Sequence, residues 1–370
     1  HKSASGVFKI KDENFKETFG LPLMFEIIMD DYPTSPEMSQ TVLNYFLKLM
    51  REYFAVKLFL KYFKACETNI KSQISLYQSL TLIEEFLLQV QGLDVHAQEL
   101  QAKFFEQTIT GNLVNNIQVA YNHYWTQVRE KLKIIKKTHK EDVRADKFLT
   151  ENFVGKFSHE ANVSKVLTVL QRMIVNHFNP QPLSFKQLEN LWQVFVIKSN
   201  FDFETKHFLE ILRHQENNLF LFRAEDLIKI FTYIICDSNF FNPRHFTAEK
   251  YKCFEFFFLL VNSKENKVQF DENSQQQSIR VLNSNLLGLD VLWRNFLECQ
   301  DKLVSQDFAN LLVDIYTNYA RNDLIDILFK KIQSLLQDKN LTAIEKCLHL
   351  LEKLDEETLH KHQKSPSASS

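Results

Sequence analysis

The chain has few of the residues that end helices and build tight turns. Gly occurs six times and Pro seven times among 370 residues, which together is about 3.5% of the chain. The typical combined usage of these two residues is roughly 12%. Sheets joined by tight hairpins need Gly at positive φ, so a chain this poor in Gly can build few such turns. The composition therefore favours long helices joined by short polar connections and predicts an all-α fold.

The chain also lacks a charge excess and a long apolar run. The formal net charge is −2 and the sequence pI is near 6.7, which gives no electrostatic case for a nucleic-acid or membrane partner. The most apolar stretch, residues 254–261, contains Glu255 and falls short of the roughly 20 residues of a membrane span. Residues 1–6 are polar and look like part of a longer chain rather than a signal peptide. We expect a soluble, cytoplasmic protein.

Cysteines are few, odd in number and widely scattered. No two have the short spacing of a zinc knuckle, and a chain of this length needs no disulfides for stability. We expect free, buried thiols in a reducing compartment. The five positions are Cys66, Cys236, Cys253, Cys299 and Cys347.

Regular apolar spacing begins after an irregular N-terminal segment, residues 1–35, which contains one short helix. Residues 36–140 are predicted to form an N-terminal helical array. Apolar residues at steps of three and four from Val42 to Phe63 predict one long amphipathic helix. Similar stripes predict helices over residues 70–90 and 113–135.

Residues 141–362 are predicted to continue this array, and the Ser-rich residues 363–370 to be a disordered tail. Polar residues 262–278 are expected to be the longest loop. No strict sequence repeat is present, but apolar helices and short polar breaks alternate as in armadillo and HEAT arrays. The predicted fold is an irregular armadillo/HEAT-like α-solenoid of stacked helix pairs. Predicted helices in this part span residues 163–178, 184–199, 203–213, 224–236, 247–261, 286–299, 301–319, 322–336 and 342–360.

The sequence offers only weak candidates for a metal site. His207 and His214 are two helical turns apart, about 10 Å, which is too far to share one ion directly. Cys347 and His349 point to different faces of a helix. His360 and His362 lie near a helix end. None of these pairs has the spacing of a zinc site, so we predict no metal site and no cofactor.

Catalytic motifs are likewise missing from the sequence. There is no Gly-x-Ser-x-Gly elbow and no glycine-rich phosphate loop. Adjacent carboxylates such as Glu84-Glu85 and Glu356-Glu357 fall on different faces of a helix and do not form a catalytic pair. We predict no catalytic residue in this chain.

Two sequence features have a structural interpretation that ranks first and a binding site as the alternative. Phenylalanine occurs 34 times and is expected mainly to fill the core between helices. Phe240-Phe241, next to Pro243 in a predicted turn, is the pair expected to be exposed. The basic run from Arg129 to Lys140 is expected to be a solvent-exposed helix end, where cations are favoured, with an anion-binding patch as the alternative.

Three short motifs carry a family resemblance. They are KCFEFFF at 252–258, GLDVLWR at 288–294 and IYTN at 315–318. In this order they resemble the armadillo-like region upstream of the catalytic domain in fat-facets-type giant ubiquitin-specific proteases, which are ubiquitin carboxyl-terminal hydrolases. The resemblance is most specific over residues 180–360 and faint in the first 90. It departs at Tyr319-Ala320-Arg321, where the family usually has Leu-Gly-Pro.

The resemblance implies a non-catalytic, protein-binding part of a large cysteine deubiquitinase. The family's catalytic Cys box is rich in Gly and Asn, and no cysteine here has such neighbours, so no catalytic residue is carried over. Within the second motif we expect Gly288 to permit close helix approach, Trp293 to pack between layers and Asp290 to cap a helix.

Two other classes of function remain open at the sequence level. A transport-receptor or adaptor-type helical repeat protein unrelated to ubiquitin is the main alternative. Nucleic-acid binding through the basic run ranks last. The partners are expected to be proteins, such as deubiquitinase substrates or adaptors. The sequence indicates neither the partner-binding residues nor the oligomeric state.

Overall fold

The structure is a computed structural model of the chain. It describes residues 20–91 except 31, 33 and 53–55; residues 102, 104, 106 and 108; and residues 111–138, 157–174, 182–213 except 200, 221–237, 241–270, 279–317 and 321–364.

The described residues form 14 α-helices, which fall into two compact units, residues 1–223 and 224–370. Unit 1 contains α1 Leu21–Ile28, α2 Pro36–Glu52, α3 Val56–Lys71, α4 Leu76–Gln91, α5 Gly111–Thr138, α6 His159–Ile174, α7 Phe185–Trp192 and α8 Asp202–Arg213. Unit 2 contains α9 Leu227–Ile230, α10 Ala248–Lys264, α11 Leu289–Glu298, α12 Lys302–Thr317, α13 Arg321–Gln337 and α14 Leu341–Lys364. The all-α prediction is confirmed.

Two helices run on into π-helical turns. Gln193–Ile197 follows α7 and Phe231–Ile235 follows α9. The predicted helices over residues 184–199 and 224–236 therefore exist, but each changes its hydrogen-bond pattern part-way. Such wide turns are rare because their backbone geometry is less favourable than that of the α-helix.

Helices pack mainly against near neighbours in sequence, as expected for a solenoid-like stack. In unit 1, α1 contacts α2, α3 contacts α4 and α5, and α6 contacts α4, α5 and α8. In unit 2, α12 contacts α10, α11, α13 and α14. Because each helix buries its stripe against adjacent ones, the apolar spacing of the sequence translates directly into layers.

Aromatic side chains fill the spaces between these layers. In unit 1, the Tyr62 ring lies 5.0 Å from the Phe46 ring and 5.4 Å from the Phe25 ring. In unit 2, the Phe308 ring lies 4.9 Å from Tyr251 and 5.1 Å from Phe246. The expectation that phenylalanine is mainly core is confirmed at these positions.

The single long helix predicted from Val42 to Phe63 is wrong. In one helix, Phe46 and Tyr62 would be separated by 16 residues, or about 24 Å along the axis. Their rings are instead in contact, so the chain turns back between α2 and α3. Residues 53–55 lie outside the described part of the chain. The apolar spacing is correct, but it cannot reveal a turn that keeps the same spacing on both sides.

The long loop predicted over residues 262–278 is also wrong in part. Helix α10 continues to Lys264, and β1 (Val268–Phe270) pairs antiparallel with β2 (Ile279–Val281), with Val268 opposite Val281. Residues 271–278 lie outside the described part. Strand β2 alternates buried and exposed residues, whereas β1 has one buried residue followed by two exposed ones. Patterns of three residues are too short to separate from loop composition.

The structure bears on three expectations for the GLDVLWR motif, those for Gly288, Trp293 and Asp290. Gly288 has φ +77°, and a Cβ there would lie 2.5 Å from Cζ of Phe231, so the close approach is confirmed. Trp293 is buried and its indole N–H donates to the Tyr316 hydroxyl at 3.3 Å. Asp290 does not cap α11, because Gly288 is the N-cap residue and no side chain bonds there. Asp290 lies in the first turn, where its charge is favourable.

Phe241 was expected to be exposed and is fully buried, at 0% exposure. Its ring lies 5.5 Å from the Phe246 ring, so the Asn-Pro turn folds it inward. Phe240 lies outside the described part. The predicted division at residue 140, with one continuous array beyond it, remains a prediction. Within the described residues, no helix is long and apolar enough to cross a membrane.

Candidate protein-binding surfaces

The histidines suggested as metal ligands serve other purposes or lie outside the described part. Nδ1 of His207 lies 3.1 Å from the Phe203 carbonyl, and His214 is outside the described part. The side chains of His360 and His362 are also outside it. Among the described residues, no three His, Cys, Asp or Glu side chains converge in the way a metal ion requires.

Cys347 and His349 do lie on different faces of α14, as predicted. Cys347 is fully buried, whereas His349 is exposed and lies 3.1 Å from Gln306 and 3.3 Å from Glu352. The pair therefore cannot act on one ligand. His349 instead links α14 to α12 at the surface.

All five cysteines are free, and four of them are buried. Burial raises the pKa of the Cys236 thiol to about 12 and that of Cys347 to about 11. Burial likewise raises the pKa values of Cys66 and Cys299. A thiol with a raised pKa is a poor nucleophile at neutral pH because little thiolate is present.

The basic run is the solvent-exposed end of α5, as predicted, over its described side chains. Arg129 lies over the Trp125 ring at 4.6 Å, and Lys133 forms an ion pair with Glu130 at 2.8 Å. Lys136 and Lys137 are in the last turn, where cations interact well with the helix dipole. Residues 139 and 140 lie outside the described part.

A buried polar network, which no sequence motif indicates, joins α5, α6 and α8. The Tyr124 hydroxyl lies 3.0 Å from Nδ1 of His159, and Nε2 of His159 lies 2.7 Å from Oε1 of Glu204. His159 and Glu204 are both fully buried at their side chains. Since the carboxylate can only accept, Nε2 carries the proton and Nδ1 accepts from the tyrosine. These residues are 35 and 45 positions apart, so no local motif marks them.

This Tyr-His-Glu chain resembles an acid–base relay but is built as a connector. Burial, together with the charge of Glu204, raises the pKa of Tyr124, so the phenol stays protonated and is not activated as a nucleophile. The second carboxylate oxygen of Glu204 accepts the Phe201 backbone N–H at 3.2 Å. The network satisfies buried polar groups on three helices and fixes their relative positions.

Beside this network, unit 1 has a half-open cavity of about 360 Å³. Tyr124 and Asn162 form part of its wall, and Tyr77 and Phe157 stack with ring centroids 3.8 Å apart. The side-chain N–H of Asn162 donates to the Ser158 carbonyl at 2.9 Å. The remaining polar wall consists mainly of glutamine and serine side chains, which do not indicate a particular ligand.

Unit 2 has a larger groove, of about 890 Å³, between the end of α11 and the first turns of α12 and α14. Lys346 lies in its wall and donates to the carbonyls of Phe296 at 3.0 Å, Leu297 at 3.2 Å and Cys299. The ammonium thereby caps the C-terminal end of α11, where a cation is favoured. This lysine is structural, and the groove around it carries charges of both signs.

Several exposed apolar side chains of unit 2 lie on the last helix pair, α13 and α14. Four large apolar side chains there are more than half exposed: Phe329 55%, Leu336 57%, Leu341 75% and Leu348 51%. We call these four residues the outer edge. Leu336 and Leu341 flank the connecting turn, and Phe329 and Leu348 lie seven residues further along each helix. Spacing of seven places the two members of each helix on one face.

Comparison with known proteins gives a limited match. A stretch of 77 residues is 35% identical to human ubiquitin carboxyl-terminal hydrolase 9Y. It covers 21% of this chain and only 3% of that protein. No family model matches the chain. The chain is thus similar, over about a fifth of its length, to part of a ubiquitin carboxyl-terminal hydrolase.

Proposed function

We propose that this chain is a non-catalytic protein-interaction region of a large cysteine deubiquitinase. In this role it holds substrates or adaptors while the hydrolase chemistry is carried out by a catalytic domain elsewhere. The proposal also places it in the cytoplasm, which its five free cysteines favour.

The observation that carries the proposal is the 35% identity over 77 residues to a ubiquitin carboxyl-terminal hydrolase. Two features of the chain support its non-catalytic part. Burial raises the pKa of the thiols of Cys66, Cys236, Cys299 and Cys347, that of Cys236 to about 12, which disfavours a thiolate nucleophile. The helices form a layered stack with a broad apolar outer edge, an arrangement that suits protein binding.

Affinity capture tests the interaction part of the proposal. The chain is immobilised and its binding proteins are quantified by mass spectrometry, with a chain carrying the double substitution L341E/L348E as the matched control. Enrichment of ubiquitin-conjugated proteins or ubiquitin ligases, reduced by the substitutions, is expected. Enrichment of nuclear-transport cargo or small GTPases instead would contradict the proposal and favour a transport receptor or adaptor.

A further inference from the structure

The outer edge is an apolar surface that the rest of unit 2 leaves uncovered. On α13, the buried Leu328 marks the inward side, and the half-buried Ile325 and Ile332 lie between it and the exposed Phe329. The apolar face of the helix is therefore wider than its neighbours cover. A face of this width is typical of a helix that packs on both sides.

Helix α14 shows the same excess on its own outer side. Ala343 and Leu350 are buried, Ile344 is half-buried, and Leu341 and Leu348 are exposed. At 100° per residue, Leu341, Ile344 and Leu348 fall within about 60° of one another. Exposed leucines scattered singly need no explanation, but a face repeated on two adjacent helices does.

Acidic side chains of α14 lie on the side of the helix that carries the exposed leucines. Glu345 and Glu352, both exposed, each follow an exposed leucine by four residues and so lie beside the outer edge. Asp355, seven residues after Leu348, is on the same side. Lys346 and Lys353 lie on the other side of the helix, where Lys346 caps α11 and Lys353 donates to Asn310.

Helix α13 and the turn before α14 carry charges of both signs. Asp326 is exposed and precedes Phe329 by three residues, but the exposed Lys330 follows Asp326 by four residues on the same side of the helix. The exposed Lys339 lies in the turn before α14. The acidic border of the outer edge is therefore its α14 side, and a complementary partner has an apolar strip with basic groups on the border that faces α14.

We propose that the outer edge binds an amphipathic helix of a partner protein that carries Lys or Arg on the border of its apolar stripe facing α14. The inference rests on the proposed scaffold function and names the chemistry of its partner. An apolar helix face in a helix-lined groove is a common recognition mode, with anchors at i, i+3 or i+4, and i+7. Basic borders speed association and set the orientation of the bound helix.

Two other occupants fit the charges poorly. A second copy of this chain would place Glu345 and Glu352 of both copies around one shared interface, where like charges repel. An anionic membrane surface would meet the same acidic border unfavourably. The border therefore selects a basic helix over both.

Selection from a displayed library of helical peptides tests the proposal on the intact chain. The peptides keep a fixed apolar stripe and are randomised at the bordering positions. Enrichment of Lys and Arg at those borders is expected. Enrichment of acidic or uncharged borders, or no enrichment over an empty-surface selection, would overturn the proposal.

The enriched peptide is then measured by fluorescence anisotropy against three variants. L341E/L348E is expected to weaken binding at least about 30-fold, since two anchors lose their apolar burial. E345K/E352K is expected to weaken it about 3–10-fold and to flatten its salt dependence. I134E, which alters an exposed apolar residue of α5 in unit 1, is the control and should bind normally.

Two further readouts keep the outcomes separate. Circular dichroism of each variant confirms that these exposed substitutions leave the helices folded. Sedimentation of the unmodified chain and of L348E tests for self-association. If the unmodified chain self-associates and L348E abolishes this, the outer edge binds a second copy and the proposal is overturned. Ubiquitin cleavage by the chain would overturn the proposed function without changing peptide binding, so the two failures are distinguishable.

Discussion

Replacing Gly288 by alanine is expected to destabilise unit 2 strongly. The residue has φ +77°, and an added Cβ would lie 2.5 Å from Cζ and 2.7 Å from Cε1 of Phe231. Phe231 is itself buried, with the Phe254 ring 6.1 Å and the Phe258 ring 6.3 Å away. The ring therefore has little room to move.

The backbone around Gly288 is also fixed. Asn262 is fully buried and holds Leu287 in both directions: its Oδ1 accepts the Leu287 N–H at 2.8 Å and its Nδ2 donates to the Leu287 carbonyl at 3.1 Å. The left-handed conformation costs an alanine about 1–2 kcal/mol. Overpacking against a buried ring adds about 1–3 kcal/mol. The expected loss is about 2–5 kcal/mol of unfolding free energy.

Amide hydrogen exchange read by mass spectrometry measures this loss unit by unit. In G288A, peptides of unit 2 should exchange at least about 30-fold faster, since each 1.4 kcal/mol is a factor of ten. Peptides of unit 1 serve as the internal control. In an F231L background the steric part disappears, so G288A should then cost only about 1–2 kcal/mol. Equal costs in both backgrounds would refute the steric argument.

Four further predictions concern buried polar and titratable groups. E204A leaves the buried His159 without its carboxylate and should cost about 3–5 kcal/mol in urea unfolding, with E204Q losing less; equal stability of E204A and the parent chain would contradict the connector role. Iodoacetamide at pH 8 should label Cys236 and Cys347 far more slowly in the folded chain than in urea, because burial raises their pKa values to about 12 and 11. The folded chain holds these thiol protons more tightly than the unfolded chain does. The free energy of unfolding is therefore at its full value below the pKa of the unfolded thiols, near 8.5, and falls as pH rises above it. A free energy of unfolding that rises from pH 8 to 10 would oppose this. K346M removes the cation that caps α11 and should lower the unfolding free energy by about 1–3 kcal/mol, whereas K339M, which alters an exposed lysine in the turn before α14, should leave it unchanged.

Much of the fold could be predicted because apolar periodicity and capping are local properties. The helix predicted over residues 247–261 begins at Thr247, whose side chain caps α10 by accepting the Lys250 backbone N–H at 3.4 Å. The helix predicted over residues 113–135 is observed as α5, Gly111–Thr138. In these cases the residues that decide the structure lie within one or two turns of each other.

The errors arise where distant residues decide the outcome. The residues next to Phe241 in the sequence do not indicate that packing with Phe246 and Phe308 buries this part of the chain. The sequence pattern does not show where α2 ends and α3 begins, because both helices share one apolar spacing. A three-residue strand such as Val268–Phe270 acquires its structure from its partner strand and from α10, which it contacts.

The candidate surfaces were the least predictable part. The Tyr124–His159–Glu204 network joins residues far apart in sequence, so only the packing of three helices brings them together. The outer edge was hidden for a different reason. The sequence marks Leu341 and Leu348 as apolar positions of a helix, but exposure depends on which neighbours cover that helix.

Hydrolysis of a ubiquitin–fluorophore conjugate by the intact chain is the decisive assay of the non-catalytic role. Release of fluorophore is expected to be no faster than in buffer, both for the chain and for a version in which all five cysteines are replaced by alanine. Turnover by the chain that disappears when one of its cysteines is replaced would contradict the claim that this region is a scaffold without chemistry of its own.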